Sequence, residues 1–227
     1  METELTFKRW TGLAGVAGAL LFFCGDMLFY GHGGSGATFH EGMLRVLQQA
    51  SRTRLFGGGL VGPVAACLCL IGCWHVRENM IGRSPVLGRL VFLALASTMV
   101  IGGAVHALWV PRGLAIKYSA VVGAVAPELI DSLRSYWQFA YNLAAAPAYI
   151  AAVLLLLLVL LGKTAYPRWT VLANFGVLSL LAPLAERIPA PLGAVVVGGF
   201  TNLSIAFFFF ISVVSTWKGN SRLATGS

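Results

Sequence analysis

Three side chains that can exchange protons lie near the ends of apolar stretches: Asp26, His106 and Glu186. A carboxylate inside a bilayer costs roughly 2.5–3.5 kcal/mol on insertion scales, so it faces protein or water and indicates a functional site. A carboxylic acid shielded from water can act as a general acid, with a nearby histidine as the base. If the protein is an enzyme, the three residues are therefore the candidate catalytic residues, for proton-driven chemistry on a lipophilic substrate.

Polar groups that could orient such a molecule recur at helical spacing near these residues. Gln138, Asn142 and Tyr149 fall on one stripe of the fourth apolar stretch, which is typical of a face turned to the bundle interior. Tyr30 follows Asp26 by one helical turn. The candidate ligand-binding residues are Tyr30, Gln138, Tyr141, Asn142, Tyr149 and Arg187.

No cofactor and no metal site is predicted. His32, His40, His106 and Asp26 carry atoms that bind zinc, but they lack a ligand spacing such as His-Glu-x-x-His. The sequence has no Walker, Rossmann, Gly-x-Ser-x-Gly or Cys-x-x-Cys signature. The loop histidines His32 and His40 are expected to be solvated, and the sequence assigns them no role.

The composition is that of a membrane protein. Of 227 residues, 58% are hydrophobic and 11% charged, whereas roughly a quarter of residues are charged in soluble proteins. The net charge is +8, but Lys and Arg flank apolar runs and form no basic stripe, so no nucleic-acid partner is expected. The expected partners are membrane lipids and a small lipophilic ligand. The sequence does not indicate an oligomeric state.

Apolar runs of about 20 residues can cross a bilayer as helices. They predict an all-α bundle of six transmembrane helices in a single membrane domain over residues 1–227. The predicted spans are 11–30, 55–75, 86–110, 136–161, 169–188 and 192–217. Pro63, Pro147 and Pro183 fall inside these spans and predict kinks.

The connections after spans one and three are long. In the first, the apolar pattern over 42–49 predicts a short helix lying on the membrane surface. In the second, over 111–135, Pro127 followed by acidic residues predicts a helix start that can continue into span four.

A small excess of Lys and Arg on the side of the N-terminus favours a multi-pass protein with both termini cytoplasmic, in a bacterial inner membrane. Because successive spans cross in opposite directions, the polar residues then converge near the outer face. The favoured prediction is an outward-facing polar cavity that binds a small lipophilic or amphiphilic molecule. One alternative is a membrane-embedded acid/base enzyme, such as a cyclase or isomerase of an isoprenoid-like substrate. The other is a structural or assembly subunit, in which Asp26 pairs with Arg187 or accepts hydrogen bonds from Tyr and Asn.

One segment carries a family resemblance. Trp10-Thr11-Gly12, followed by Gly25-Asp26-Met27-Leu28-Phe29-Tyr30-Gly31, resembles the first helix of a group of uncharacterised bacterial multi-pass membrane proteins with a Gly-Asp-x-Leu-x-Tyr-Gly signature. The resemblance is confined to residues 10–31 and implies no activity. It places Asp26 inside the signature.

Overall fold

The computed structural model describes residues 2–123 and 126–217, and this part of the chain is helical without any strand. The all-α prediction is confirmed. The helices are α1 (Glu2–Tyr30), α2 (Phe39–Gln49), α3 (Arg52–Glu78), α4 (Pro85–Lys117), α5 (Ser119–Val122), α6 (Ala126–Leu160), a 3₁₀ helix (Arg168–Ala173), α7 (Phe175–Ser179), α8 (Ala182–Ala185) and α9 (Gly193–Thr216).

Within the described residues, α1, α3, α4, α6 and α9 are long and apolar enough to cross a membrane. Large apolar side chains such as Leu60, Leu93 and Phe139 point outward and are more than half exposed. A lipid environment accommodates such surfaces, whereas soluble monomers rarely expose large apolar patches. The long helices therefore define a multi-pass membrane-type protein.

The segment predicted as the fifth span is different, because residues 169–188 do not form one helix. The 3₁₀ helix ends at Ala173. The side chain of the next residue, Asn174, accepts a hydrogen bond from the N–H of Gly176 at 2.9 Å and caps α7. Pro183 then opens the short α8, because proline fits the first turn of a helix but interrupts its interior. The prediction of a continuous fifth helix with a kink at Pro183 is therefore wrong.

The two ends of the described chain lie at the same end of the bundle, which we call the proximal end. The guanidinium of Arg9 donates to the carbonyl of Trp217 at 2.9 and 3.1 Å. At the opposite, distal end, the N–H of Gly36 donates to the carbonyl of Ile188 at 2.9 Å, and the N–H of Ala194 donates to that of Gly34 at 2.9 Å. The interrupted segment thus connects the proximal end of α6 with the distal start of α9.

The connections at the distal end also differ from their predicted lengths. α4 continues through Pro111 to Lys117, and α6 begins at Ala126, so much of the predicted loop 111–135 is helix. The predicted helix start beside Pro127 is confirmed, since α6 runs unbroken into the fourth span.

The short helix predicted over 42–49 is confirmed as α2. It buries Phe39, Met43 and Leu47, which pack with Phe29 and Trp109 in a distal core. Its apolar face therefore contacts the end of the bundle.

Helices α1 and α3 are in close contact where Gly15 faces Gly72. A methyl group added at Gly15 would lie 2.8 Å from the Cα of Gly72 and 2.8 Å from a ring carbon of Phe209. Because one of these atoms belongs to the backbone, the helices would have to separate. The small residues are therefore required for this packing.

Gly15→Ala should consequently lower thermal stability in detergent, by the roughly 1–3 kcal/mol that overpacking costs. The matched control is Gly102→Ala in α4, where an added methyl group meets nothing within 4 Å. The control should be at least as stable as the wild type, because alanine favours helix more than glycine. Equal melting temperatures for the two variants would show that α1 and α3 are not in close contact.

Candidate functional site

A cavity of about 860 Å³ lies in the bundle and is lined by residues of α1, α2, α4, α6, α7 and α9. Ligand pockets typically measure roughly 300–1,000 Å³ and are mostly apolar, with a few polar groups that fix orientation. Phe22, Leu95, Met99 and Phe208 supply apolar wall, and Asp26 lies among the polar lining residues. The size and the chemistry of the lining both suit a small organic molecule.

Asp26 forms the centre of a polar cluster that joins three helices. Its side chain accepts a hydrogen bond from the Tyr30 hydroxyl at 2.5 Å and another from the Asn202 amide of α9 at 2.6 Å. Nε2 of His106 in α4 lies 3.5 Å from Oδ1 of Asp26, which is longer than an ordinary hydrogen bond. Asp26 is only 5% exposed, and both oxygens of its carboxyl group have donors.

Glycines and aromatic rings position the imidazole of His106. A methyl group at Gly25 of α1 would lie 3.1 Å from the ring, and one at Gly62 of α3 would collide with the His106 Cβ. The rings of Phe22 and Phe29 lie 4.8 and 6.2 Å from the imidazole, centroid to centroid. The glycines therefore provide the space for His106, and the aromatic rings fix its orientation.

The structure brings most of the candidate residues together at the cavity. Six of the nine line it: Asp26, Tyr30, His106, Gln138, Tyr141 and Tyr149. Asn142 does not line the cavity, but it accepts a hydrogen bond from the Gln138 amide at 3.0 Å. The catalytic and ligand-binding roles of these residues stay predictions.

Glu186 and Arg187 lie elsewhere. Both are exposed, outside the cavity lining, and the backbone of Glu186 packs beside Gly36 at the distal end. The predicted pair between Asp26 and Arg187 is therefore not formed. The reason is that the segment predicted as the fifth span is interrupted, so the end that carries Glu186 and Arg187 lies at the surface of the bundle.

Sequence reasoning missed Arg112, because Pro111 was taken as the end of the third span. In the structure Arg112 is buried within α4 and lines the cavity. Its Cζ lies 4.4 Å from the ring centroid of Trp109 and 5.2 Å from that of Trp137. The available signal was the spacing, since Arg112 follows Trp109 by three residues and shares its helix face.

The loop histidines are not equivalent. His32 is half-buried, with Nδ1 3.0 Å from the carbonyl oxygen of Tyr30 and its ring stacked on Phe39 at 6.0 Å. The expectation that it is solvated is therefore wrong, because α2 folds over it. His40 is exposed and lines the cavity beside α2.

Over residues 2–123 and 126–217, no group of three or more His, Cys, Asp or Glu is arranged to hold a metal ion.

The fold and the apolar helices define the class as an all-helical multi-pass membrane-type protein. The chain belongs to a family of unknown function, DUF6796, whose profile matches residues 3–219. No curated protein and no solved structure matches the chain. Membership of this family is consistent with the resemblance of the first helix to an uncharacterised group.

Replacing Asp26 by Leu should destabilise the protein, because the Tyr30 hydroxyl and the Asn202 amide would lose a buried acceptor. Leaving a buried donor unsatisfied costs about 1–3 kcal/mol. The measurement is thermal unfolding in detergent. Asp26→Asn retains an acceptor oxygen and should be less affected, and Asn142→Leu, at an exposed position of α6, is the matched control. If Asp26→Leu unfolds at the same temperature as Asn142→Leu, the cluster does not hold α1 and α9 together.

Proposed function

We propose that this protein binds a small lipophilic or amphiphilic molecule in the cavity beside Asp26, within the cell (inner) membrane. The observation that carries the proposal is the coincidence of a ligand-sized cavity with a buried polar cluster on its wall. A cluster that only joined helices would need no space beside it. Protein interiors are otherwise packed about as densely as organic crystals, so a void of this size requires an explanation.

The cavity is proposed to open outward. The Arg9 to Trp217 hydrogen bonds join the two described ends of the chain. An even number of membrane crossings has this result, and six are reached if the interrupted segment counts as the fifth. If both termini are cytoplasmic, the distal end with α2 faces outward. Asp26 lies four residues before the distal end of α1, so the cluster would sit in the outer part of the membrane, within reach of a molecule from the outer leaflet.

A membrane-embedded acid/base enzyme is the second candidate, favoured by the contact between Asp26 and His106. Both residues line the cavity, and their side chains approach to 3.5 Å. In a double-bond isomerisation, a protonated Asp26 would give its proton to one alkene carbon while His106 removes a proton from the allylic carbon and the double bond shifts. The proton would then return from His106 to Asp26 across their 3.5 Å contact. Glu186 has no part in this version, because it does not line the cavity.

Filling the cavity tests the proposal. Gly102 lines the cavity between Thr98 and His106, and a side chain there would project into open space. Gly102→Phe should therefore reduce the affinity for hexadecanol, a neutral single-chain probe, at least about tenfold, which is the loss of about 1.4 kcal/mol of binding free energy. The measurement is the saturable binding of tritiated hexadecanol to the full chain in neutral detergent, with a proximity assay as the readout.

Gly102→Ala is the matched control and should bind hexadecanol like the wild type. Absence of saturable binding to the wild type, or equal binding by the Phe and Ala variants, would contradict a ligand cavity. If the acid/base version holds, Asp26→Asn should retain hexadecanol binding, because the shape of the cavity is unchanged.

A further inference from the structure

Arg112 is a buried cation without a carboxylate partner in the described part of the chain. It is 9% exposed, and the arginine–carboxylate ion pair found among the described residues joins Arg77 to Glu78. Buried charges in proteins are normally paired, because removing an ion from water is costly. The position of this guanidinium therefore calls for a counterion.

The surroundings of Arg112 leave its Nε–H without an acceptor among the described residues. The indole rings of Trp109 and Trp137 lie within 4.4 and 5.2 Å of its Cζ. Cation–π contacts of this kind engage the charge but accept no N–H hydrogen bond. Nε of Arg112 and Nε1 of Trp137 are both buried without a hydrogen-bond partner in the described residues. Unsatisfied buried donors are rare in native proteins, and these two belong to residues that line one cavity.

The charge around these donors is positive. Arg134 of α6 lines the same cavity. Asp26 is the acidic residue in the described lining, and its oxygens already accept hydrogen bonds from Tyr30 and Asn202. The cavity therefore offers two guanidinium groups and an indole N–H to an acceptor that the described residues do not supply. Guanidinium groups bind carboxylates and phosphates with matched geometry.

The remainder of the cavity is long and largely apolar. Its lining on α4 extends from Arg112 back to Leu95, about 25 Å at a rise of 1.5 Å per residue. The polar cluster of Asp26 and His106 lies on the wall between these ends, and Phe22, Met99 and Phe208 line it with them. This shape suits a single alkyl chain with a charged group at one end.

We propose that Arg112, with Trp137 and Arg134, binds the anionic head group, carboxylate or phosphate, of a single-chain amphiphile whose chain occupies the apolar part of the cavity. This assignment rests on the proposed function, and it names the class of ligand. The guanidinium supplies the charge, the indole N–H of Trp137 supplies a second donor, and the rings of Trp109 and Trp137 contact the guanidinium.

Three ligands with the same chain and different head groups test the assignment: hexadecanoic acid, hexadecyl phosphate and hexadecanol. With the full chain in neutral detergent, at a pH where the acids are ionised, each competes against tritiated hexadecanol. The wild type should bind the two anions at least about tenfold more tightly than the alcohol, as expected for a charge-assisted contact. In Arg112→Gln this preference should disappear, while hexadecanol still binds as in the wild type.

Arg45→Gln is the matched control, because Arg45 is an exposed arginine of α2 that does not line the cavity; it should keep the full preference. Hexadecanol binding also reports whether Arg112→Gln is folded. If that variant does not fold, Trp137→Phe takes its place and should weaken binding of the anions while sparing the alcohol.

Equal affinity of the wild type for acid and alcohol would overturn the head-group assignment and leave the proposed ligand cavity standing. A preference that survives in Arg112→Gln would overturn it as well. Displacement by inorganic phosphate alone, as effective as by hexadecyl phosphate, would show a free-anion site rather than an amphiphile site. Binding of none of the three would instead mark the failure of the proposed function.

Discussion

The burial of one carboxyl group constrains the distal half of the bundle. An acid at this depth is tolerated only where donors surround it, and the donors of Asp26 come from a neighbouring turn of α1 and from α9. The imidazole of α4 is brought close by the glycines that face it. Satisfying Asp26 thus fixes how three helices meet, and the wall of the cavity follows from that arrangement.

The interrupted segment after α6 explains why space remains at the distal end. Near the proximal end it packs closely, since the hydroxyl of Tyr166 is 2.7 Å from that of Ser212 and the Asn174 amide donates to the carbonyl of Ala152 at 3.0 Å. Toward the distal end it breaks into short helices that emerge at the surface. There α6 lines the cavity from Arg134 to Tyr149, and the interrupted segment contributes Phe175 and Ser179 of α7 to the lining.

The long helices and their depth relations could be predicted from the sequence, because apolar length and helical phase determine both. Asp26, Tyr30 and His106 meet for that reason. The break in the predicted fifth span could not be predicted, since mean hydropathy over the segment does not show that the cap at Asn174 and the proline at Pro183 divide it into short helices. Arg112 was missed because Pro111 predicts a helix end, whereas α4 continues through this proline to Lys117. Glu186 was predicted at the cavity because the fifth span was taken as one continuous helix.

An amphiphile-sized open volume lies beside the Asp26 cluster and runs along α4 from Arg112 to Leu95. An experimental structure of the full chain in a lipid nanodisc measures this directly. We expect an elongated density between α4 and α6 that passes Asp26 and His106 and ends at Arg112. The opposite result is a bundle in which α6 closes onto α1 and α9, Tyr149 fills the volume and no continuous density lies inside. That result would show that the open volume does not exist.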